Sequence, residues 1–159
     1  MGTVISDSLD FYQKCICAFA GTEYQVIISV GNSGTNGLNT IPENITVKRF
    51  VDQIAVLQKA DVFLSHCGMN SVNESLYYRV PLVMYPQTTE QSGVAARVAQ
   101  LGAGIQLKKV TTEGIREAVE HVLNTPSYRN NAAAISDGFK KCSGVKGAAD
   151  KILSLCQSV

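Results

Sequence analysis

The sequence has no excess of charge of either sign and no long hydrophobic run. Its 159 residues include 14 Lys and Arg and 13 Asp and Glu, which gives a net charge of +1. This balance excludes the strongly basic surface of a nucleic-acid-binding domain and an acidic solvating tail. No apolar run approaches the roughly 20 residues that a membrane-spanning helix needs. We therefore expect neither a nucleic-acid partner nor a membrane segment.

Cysteine pairs are also missing. The chain has five cysteines, an odd number, and their spacings form no pair of CxxC units. This pattern favours neither a disulfide framework nor a structural zinc site, so we expect reduced thiols in a cytoplasmic protein and no bound metal. The first residues show no basic stretch followed by an apolar one, so we expect no signal peptide. Length and an apolar content of 45% predict one domain spanning residues 1–159.

Strand-like and helix-like patterns alternate along the chain. The predicted strands are residues 24–30, 46–50, 62–65, 81–85 and 105–107. The first predicted helix ends at Gly21. The others span residues 54–60, 71–78, 91–101, 112–123, 127–141 and 145–156. This alternation predicts an α/β fold, a doubly wound parallel sheet flanked by helices. Ligands of such sheets bind at the carboxyl ends of strands, so the candidate loops are 31–40, 50–53, 65–71 and 85–91.

The loop after the third predicted strand holds the strongest candidate. His66 and Gly68 stand there, just before a predicted helix. The N–H groups of a helix start bind phosphate, glycine lets the backbone approach a ligand closely, and His66 can donate to a phosphate oxygen. Asn70 and Ser71 can add donors, and Glu74, one turn further, has the reach for ribose hydroxyls.

The same residues also have structural explanations. The Ser71-x-x-Glu74 spacing is that of a capping box, which finishes a helix end without any ligand. His66 taken alone is more often a hydrogen-bonded structural residue. Cys67 beside it suggests a nucleophile, but adjacent residues at a strand end point to opposite sides, so the two form a poor catalytic pair. A buried, inert thiol is the better interpretation of Cys67.

Two further loops carry side chains of the kind that bind ligands. Phe50 ends the second predicted strand, where its ring can stack on a base or pack into the core. Glu90 and Gln91 follow the turn at Pro86. A carboxylate and an amide suit sugar hydroxyls there, and they suit the first turn of a helix equally well.

Taken together, these segments resemble the donor-binding signature of UDP-glycosyltransferases, and most of all the bacterial macrolide-type enzymes of the GT-B fold. The resemblance covers almost the whole chain and is far more specific than any one motif. The residues that carry it are FVxQ at 50–53, IxVL at 54–57, DVFLSHCGMNSVNE at 61–74, VPLV at 80–83, EQ at 90–91 and LGAG at 101–104. It implies the Rossmann-like C-terminal half of such an enzyme, with its first strand largely missing and Val4 and Ile5 as a stub of it.

The resemblance implies a role for each residue of the strongest loop. His66 would contact the donor diphosphate, and Asn70 and Ser71 would hold its oxygens. Gly68 would permit the close approach, and Glu74 would bind the ribose hydroxyls. The local pattern alone favours the capping box, and these implied roles reverse that preference.

The base and sugar contacts are implied in the same way. Phe50 would stack on uracil, with Val51 and Gln53 lining the base pocket. Glu90 and Gln91 would hold hydroxyls of the transferred sugar.

Four further positions bear on the resemblance. Thr3 looks like the end of the family's S-x-G-T segment and would reach the β-phosphate. Phe50 stands where the family usually has Trp, which weakens the stacking. Asp52 stands where it has Pro, which predicts a looser turn. Arg79 stands where it has Gly, at a helix end where Gly is the comfortable residue.

The function implied is that of the UDP-sugar donor-binding domain of an inverting glycosyltransferase, which moves a hexose from a UDP-sugar to a hydroxyl of a small lipophilic acceptor. The resemblance implies no metal and no cofactor beyond the UDP-sugar, and it places the catalytic His–Asp pair in an N-terminal acceptor-binding half. We therefore assign no catalytic residue here and expect the isolated chain to be inactive.

Several alternatives stay open. One is the donor-binding subunit of a naturally split glycosyltransferase, completed by a separate subunit. Another is a non-catalytic nucleotide-binding module. A cysteine-dependent enzyme using Cys67 ranks lowest, because no base is placed to activate the thiol. A missing strand would also favour a homo-oligomer.

Overall fold

The computed structural model describes residues 8–33 and 37–156, which form five strands and seven α-helices. The strands are β1 (Val26–Ser29), β2 (Ile45–Lys48), β3 (Phe63–Ser65), β4 (Leu82–Met84) and β5 (Gly104–Gln106). The helices are α1 (Ser8–Phe19), α2 (Gln53–Leu57), α3 (Met69–Tyr77), α4 (Thr89–Gln100), α5 (Thr112–Leu123), α6 (Pro126–Lys141) and α7 (Gly144–Cys156). Thr3, Val4 and Ile5 lie outside the described residues, so the predictions made for them stay predictions.

The described strands pair in parallel, as the alternating pattern predicts. β1 pairs with β2, and β4 pairs with β3 on one side and with β5 on the other. They form two sheets, of two and three strands, rather than one continuous sheet, because no described strand joins β1 to β3. The carboxyl ends of β3, β4 and β5 therefore meet at one edge, which is where the loops that carry His66 and Glu90 begin.

Helices cover both faces of the three-stranded sheet. Val83 of β4 packs in an apolar cluster with buried residues of α1 and α5, whereas Leu82 and Met84 pack with buried residues of α3 and α4. Successive strand residues point to opposite faces, so this strand lies in the middle of three layers. Gly104 lets β5 approach β4, since a Cβ there would lie only 2.3 Å from the carbonyl oxygen of Leu82.

Helix α1 closes one face of the molecule. Its buried residues recur at helical spacing: Phe11, Tyr12, Cys15, Ile16 and Phe19. The Phe11 ring stacks on Tyr85, just beyond β4, with centroids 4.9 Å apart. Arg116 of α5 donates through Nε to the Ala18 carbonyl at 2.6 Å.

The last helix, α7, buries none of its side chains. No described helix is long and apolar enough to cross a membrane.

The turn between β2 and α2 is well held, contrary to the expectation of a looser one. Asp52 is the N-cap residue of α2, and its Oδ1 accepts a hydrogen bond from the Ala55 N–H at 3.0 Å. Its φ of −70° is one that proline also adopts. Asp52 therefore keeps the backbone path that Pro would impose and adds a side-chain cap.

Arg79 follows α3 and turns the chain toward β4. Its φ of +64° lies in the left-handed region that favours glycine. Its guanidinium pairs with Asp137 of α6 on the exposed surface, with 2.7 Å between Nη2 and Oδ1. The helix end thus has the conformation for which the resembled family uses Gly.

Arg79→Gly should raise the free energy of unfolding by about 1 kcal/mol, because relief of the left-handed conformation outweighs the loss of one exposed ion pair. Asp137→Ala is the matched control, since it removes the same ion pair and keeps the strain. Urea unfolding measures both variants. An Arg79→Gly chain no more stable than Asp137→Ala would contradict this account.

Candidate functional site

The candidate site starts at the turn that joins β3 to α3. Ser65, the buried last residue of β3, accepts a hydrogen bond through Oγ from the Cys67 N–H at 3.1 Å. Cys67 has a φ of +68°, a left-handed conformation that is uncommon outside glycine. This conformation ends the strand abruptly and lets α3 begin at Met69, two residues later.

The N-terminus of α3 is not capped by a side chain. Gly68 is the N-cap residue and makes no side-chain hydrogen bond to the helix. The capping-box interpretation is therefore wrong, because Ser71 is the third residue inside the helix rather than its cap. The N–H groups of this first turn carry the positive end of the helix dipole, and Asn70 lies exposed among them. Such an arrangement suits an anion such as phosphate.

His66 lies beside this helix start. Its side chain is half-buried, and burial holds its pKa below the usual 6.5, so the imidazole is neutral at pH 7. Gly68 packs against the ring, since a Cβ at that position would lie 3.0 Å from His66 Nε2. Gly68 thus leaves room for the imidazole.

A hydrogen-bonded group links α2 to α3. Gln53, the first residue of α2, donates through Nε2 to Glu74 Oε2 at 2.5 Å and to Ser71 Oγ at 3.2 Å. Gln53, Ser71 and Glu74 are all half-buried. The sequence places Ser71 and Glu74 one turn apart, but nothing in it indicates that Gln53 bridges them.

Phe50 follows β2 and presents its ring to solvent. The side chain is 68% exposed, so the core-packing interpretation is wrong. The Arg49 guanidinium lies over the ring, 5.9 Å from its centroid, and the Arg49 carbonyl accepts from the Gly31 N–H at 2.8 Å. Val51, next in the chain, is half-buried. A strand end held in place thus carries an aromatic ring able to stack on a planar ligand.

Glu90 and Gln91 lie in the first turn of α4, after β4. Thr88 caps this helix through a 3.3 Å hydrogen bond from the Gln91 N–H. The Gln91 Oε1 accepts from the Gln87 N–H at 2.8 Å, whereas the Glu90 side chain is exposed. Both residues therefore fit the first turn of a helix, and their role as sugar ligands stays a prediction.

The predicted contact residues within the described part of the chain thus lie in segments that follow three strands. Phe50 follows β2, His66 follows β3, and Glu90 follows β4. Thr3 lies outside the described part of the chain. Within that part, no group of three or more His, Cys, Asp or Glu side chains could hold a metal ion.

A family model described as the C-terminal domain of proteins like erythromycin biosynthesis protein CIII matches residues 14–142. The chain belongs to this family. Among its relatives, the NDP-glycosyltransferase YjiC of Bacillus subtilis (strain 168) is 39% identical over 155 residues, which are 96% of this chain and 40% of that protein. The chain spans about two fifths of the length of the curated relatives that it matches.

Solved structures lead to the same fold. The crystal structure of CalG4, the calicheamicin glycosyltransferase, matches with a TM-score of 0.91 at 28% identity, covering 97% of this chain and 41% of that one. The glycosyltransferase of kitacinnamycin matches with a TM-score of 0.89 at 30% identity, with the same coverage of both chains. The chain has the fold of the C-terminal half of GT-B glycosyltransferases, as the resemblance implied.

Cys67 should behave as an inert thiol. It is fully buried, and burial raises its pKa to about 11, so almost none is thiolate near pH 8. We expect iodoacetamide to label the exposed Cys17, Cys142 and Cys156 in the folded chain, and to label Cys67 and Cys15 only after denaturation. Peptide mass spectrometry measures the order of labelling. If Cys67 of the folded chain were labelled as fast as Cys17, the result would support the interpretation of Cys67 as a nucleophile.

Proposed function

We propose that the chain is the UDP-sugar donor-binding domain of an inverting glycosyltransferase. In this proposal the whole enzyme moves a hexose from a UDP-sugar to a hydroxyl of a small lipophilic acceptor, and residues 1–159 form its nucleotide-sugar domain. The observation that carries the proposal is the uncapped start of α3 between His66 on one side and the Gln53–Glu74 link on the other. An anion site and a carboxylate for hydroxyl groups thus lie within two turns of one helix.

The diphosphate would bind at the start of α3. Backbone N–H groups of the first turn donate to its oxygens, and the helix dipole favours its charge. The Asn70 amide and the Ser71 hydroxyl add side-chain donors. A neutral His66 imidazole donates through whichever ring nitrogen carries the hydrogen. Thr3 would add a contact to the β-phosphate.

The nucleoside and the sugar would extend to either side of this site. Glu74 accepts hydrogen bonds from the ribose hydroxyls, and Phe50 stacks on uracil, which covers a ring that is otherwise exposed. Val51 lines the base pocket. On the other side, Glu90 and Gln91 hold hydroxyls of the transferred hexose.

Transfer would need a part that this chain does not supply. We propose that an N-terminal half, or a separate subunit, binds the acceptor and provides the base that removes the proton from its hydroxyl. The acceptor oxygen attacks the anomeric carbon opposite UDP, so the configuration inverts and UDP leaves with the electron pair of the broken C–O bond. His66 and the start of α3 stabilise the charge that develops on UDP. The chain alone binds the donor without turning it over.

Calorimetric titration of the purified chain tests donor binding. We expect UDP to bind with a chelator present and NAD not to bind. His66→Ala and Glu74→Ala should each weaken UDP binding by about tenfold or more, because each removes a hydrogen bond that involves a charged group. His121→Ala is the matched control, since His121 is exposed on α5 and contacts Tyr128 instead. A folded chain that binds no UDP, or one that His66→Ala and Glu74→Ala leave unchanged, would contradict the proposal.

Donor binding should also depend on pH through His66. The negative diphosphate raises the pKa of a nearby imidazole, whereas burial lowers the pKa of His66 in the unliganded chain. The complex then holds a proton on His66 at higher pH than the unliganded chain, so affinity rises as the pH falls from about 8 to about 6. UDP-glucose is the probe, because its diphosphate has no monoester group that titrates near pH 6.

The expected gain is about threefold to tenfold in the wild-type chain, and it should disappear in His66→Gln. His121→Gln removes the only other histidine and should keep the gain. A wild-type affinity that does not change with pH would mean that His66 does not face the diphosphate.

A further inference from the structure

We infer that Gln53 is a positioning residue that orients the Glu74 carboxylate, and that this orientation lets the site select a ribonucleotide over a 2′-deoxyribonucleotide. The inference rests on the proposed function, since it takes Glu74 as the ribose ligand. It assigns Gln53 a role through Glu74 rather than a direct place in the base pocket.

Two sets of contacts fix the position of the Gln53 amide: the cap of α2 and the hydrogen bonds to α3. The start of α2 is held by the Asp52 cap, so the Gln53 backbone has a defined path. Its Nε2 group has two hydrogens, one for Glu74 Oε2 at 2.5 Å and one for Ser71 Oγ at 3.2 Å. An ionised carboxylate only accepts hydrogen bonds, so the amide nitrogen, not its oxygen, must face Glu74.

The link restricts a side chain that would otherwise be mobile. Glutamate has several rotatable bonds, and ordering it on ligand binding costs free energy. Gln53 holds one carboxylate oxygen of Glu74 in advance through a short hydrogen bond to a charged group. The second oxygen and the remaining lone pairs can then accept from two hydroxyls at once. The preorganised carboxylate therefore suits the adjacent 2′ and 3′ hydroxyls of a ribose.

Deoxyribose has lost one of the two hydroxyls, so it gains less from an oriented carboxylate. Removing the Gln53 amide should accordingly weaken UDP more than 2′-deoxyuridine diphosphate. Gln53 also donates to Ser71, and the proposed function gives Ser71 a contact with the phosphates, which the two nucleotides share. Any loss through Ser71 therefore cancels in the ratio of the two affinities.

The test is calorimetric titration of the chain with UDP and with 2′-deoxyuridine diphosphate. Gln53→Met keeps the side-chain length and removes the donor. We expect the UDP affinity to fall about tenfold and the preference for UDP over the deoxynucleotide to narrow about fivefold. Gln58→Met is the matched control, because Gln58 is exposed at the other end of α2. It should change neither affinity.

Two further variants check that the effect comes from the bridging amide and acts through Glu74. Gln53→Asn retains an amide that is too short to bridge the helices, so it should narrow the preference as Gln53→Met does, even if one of the two folds poorly. In a Glu74→Ala background, Gln53→Met should leave the preference unchanged. Thermal unfolding confirms that each chain is folded.

The outcomes separate the inference from the proposed function. A wild-type chain that binds neither nucleotide contradicts the proposed function, and the inference with it. A wild-type chain that prefers UDP, with the same preference in Gln53→Met and Gln53→Asn, overturns the inference alone. That result means equal losses for the two nucleotides, and it would assign Gln53 a merely structural role.

Discussion

The left-handed conformation of Cys67, with a φ of +68°, is the constraint on which the candidate site depends. For a non-glycine residue this conformation costs about 1–2 kcal/mol. The Ser65 hydroxyl offsets part of it by accepting the Cys67 N–H, and full burial of the thiol adds apolar contact. Because of this conformation β3 ends abruptly and His66 lies at the turn. Helix α3 then begins with no side-chain cap on its N–H groups.

The layers of the fold hold this turn in place. β4 lies between β3 and β5, with Val83 packed on one face and Leu82 and Met84 on the other. A buried parallel strand of this kind cannot shift without disturbing both helical layers. The loops at the carboxyl edge therefore start from rigid positions, which is what binding several parts of one ligand requires.

Several residues of the candidate site are held in place by contacts within the protein. The same contacts are compatible with the ligand roles proposed for these residues. Gly68 makes room for the His66 ring, and the same missing side chain leaves the start of α3 open. Gln53 joins two helices, and the same bond orients Glu74. Gln91 differs, because its side-chain oxygen already closes the turn before α4. Internal contacts thus fix His66 and Glu74 beside the start of α3, whereas the Gln91 side-chain oxygen is engaged by its own turn.

The sequence by itself predicts the order of strands and helices and marks the loop of the candidate site. Apolar periodicity predicts a helix over 112–123, which is α5, and the motif from His66 to Glu74 marks the loop. These are local patterns, so the order of residues along the chain is enough to predict them. Tertiary structure decided the rest. The capping box fails because Cys67 turns the chain early and makes Gly68 the cap. The pairing of Gln53 with Glu74, 21 residues away, exists only because α2 packs beside α3, and no local pattern encodes that contact.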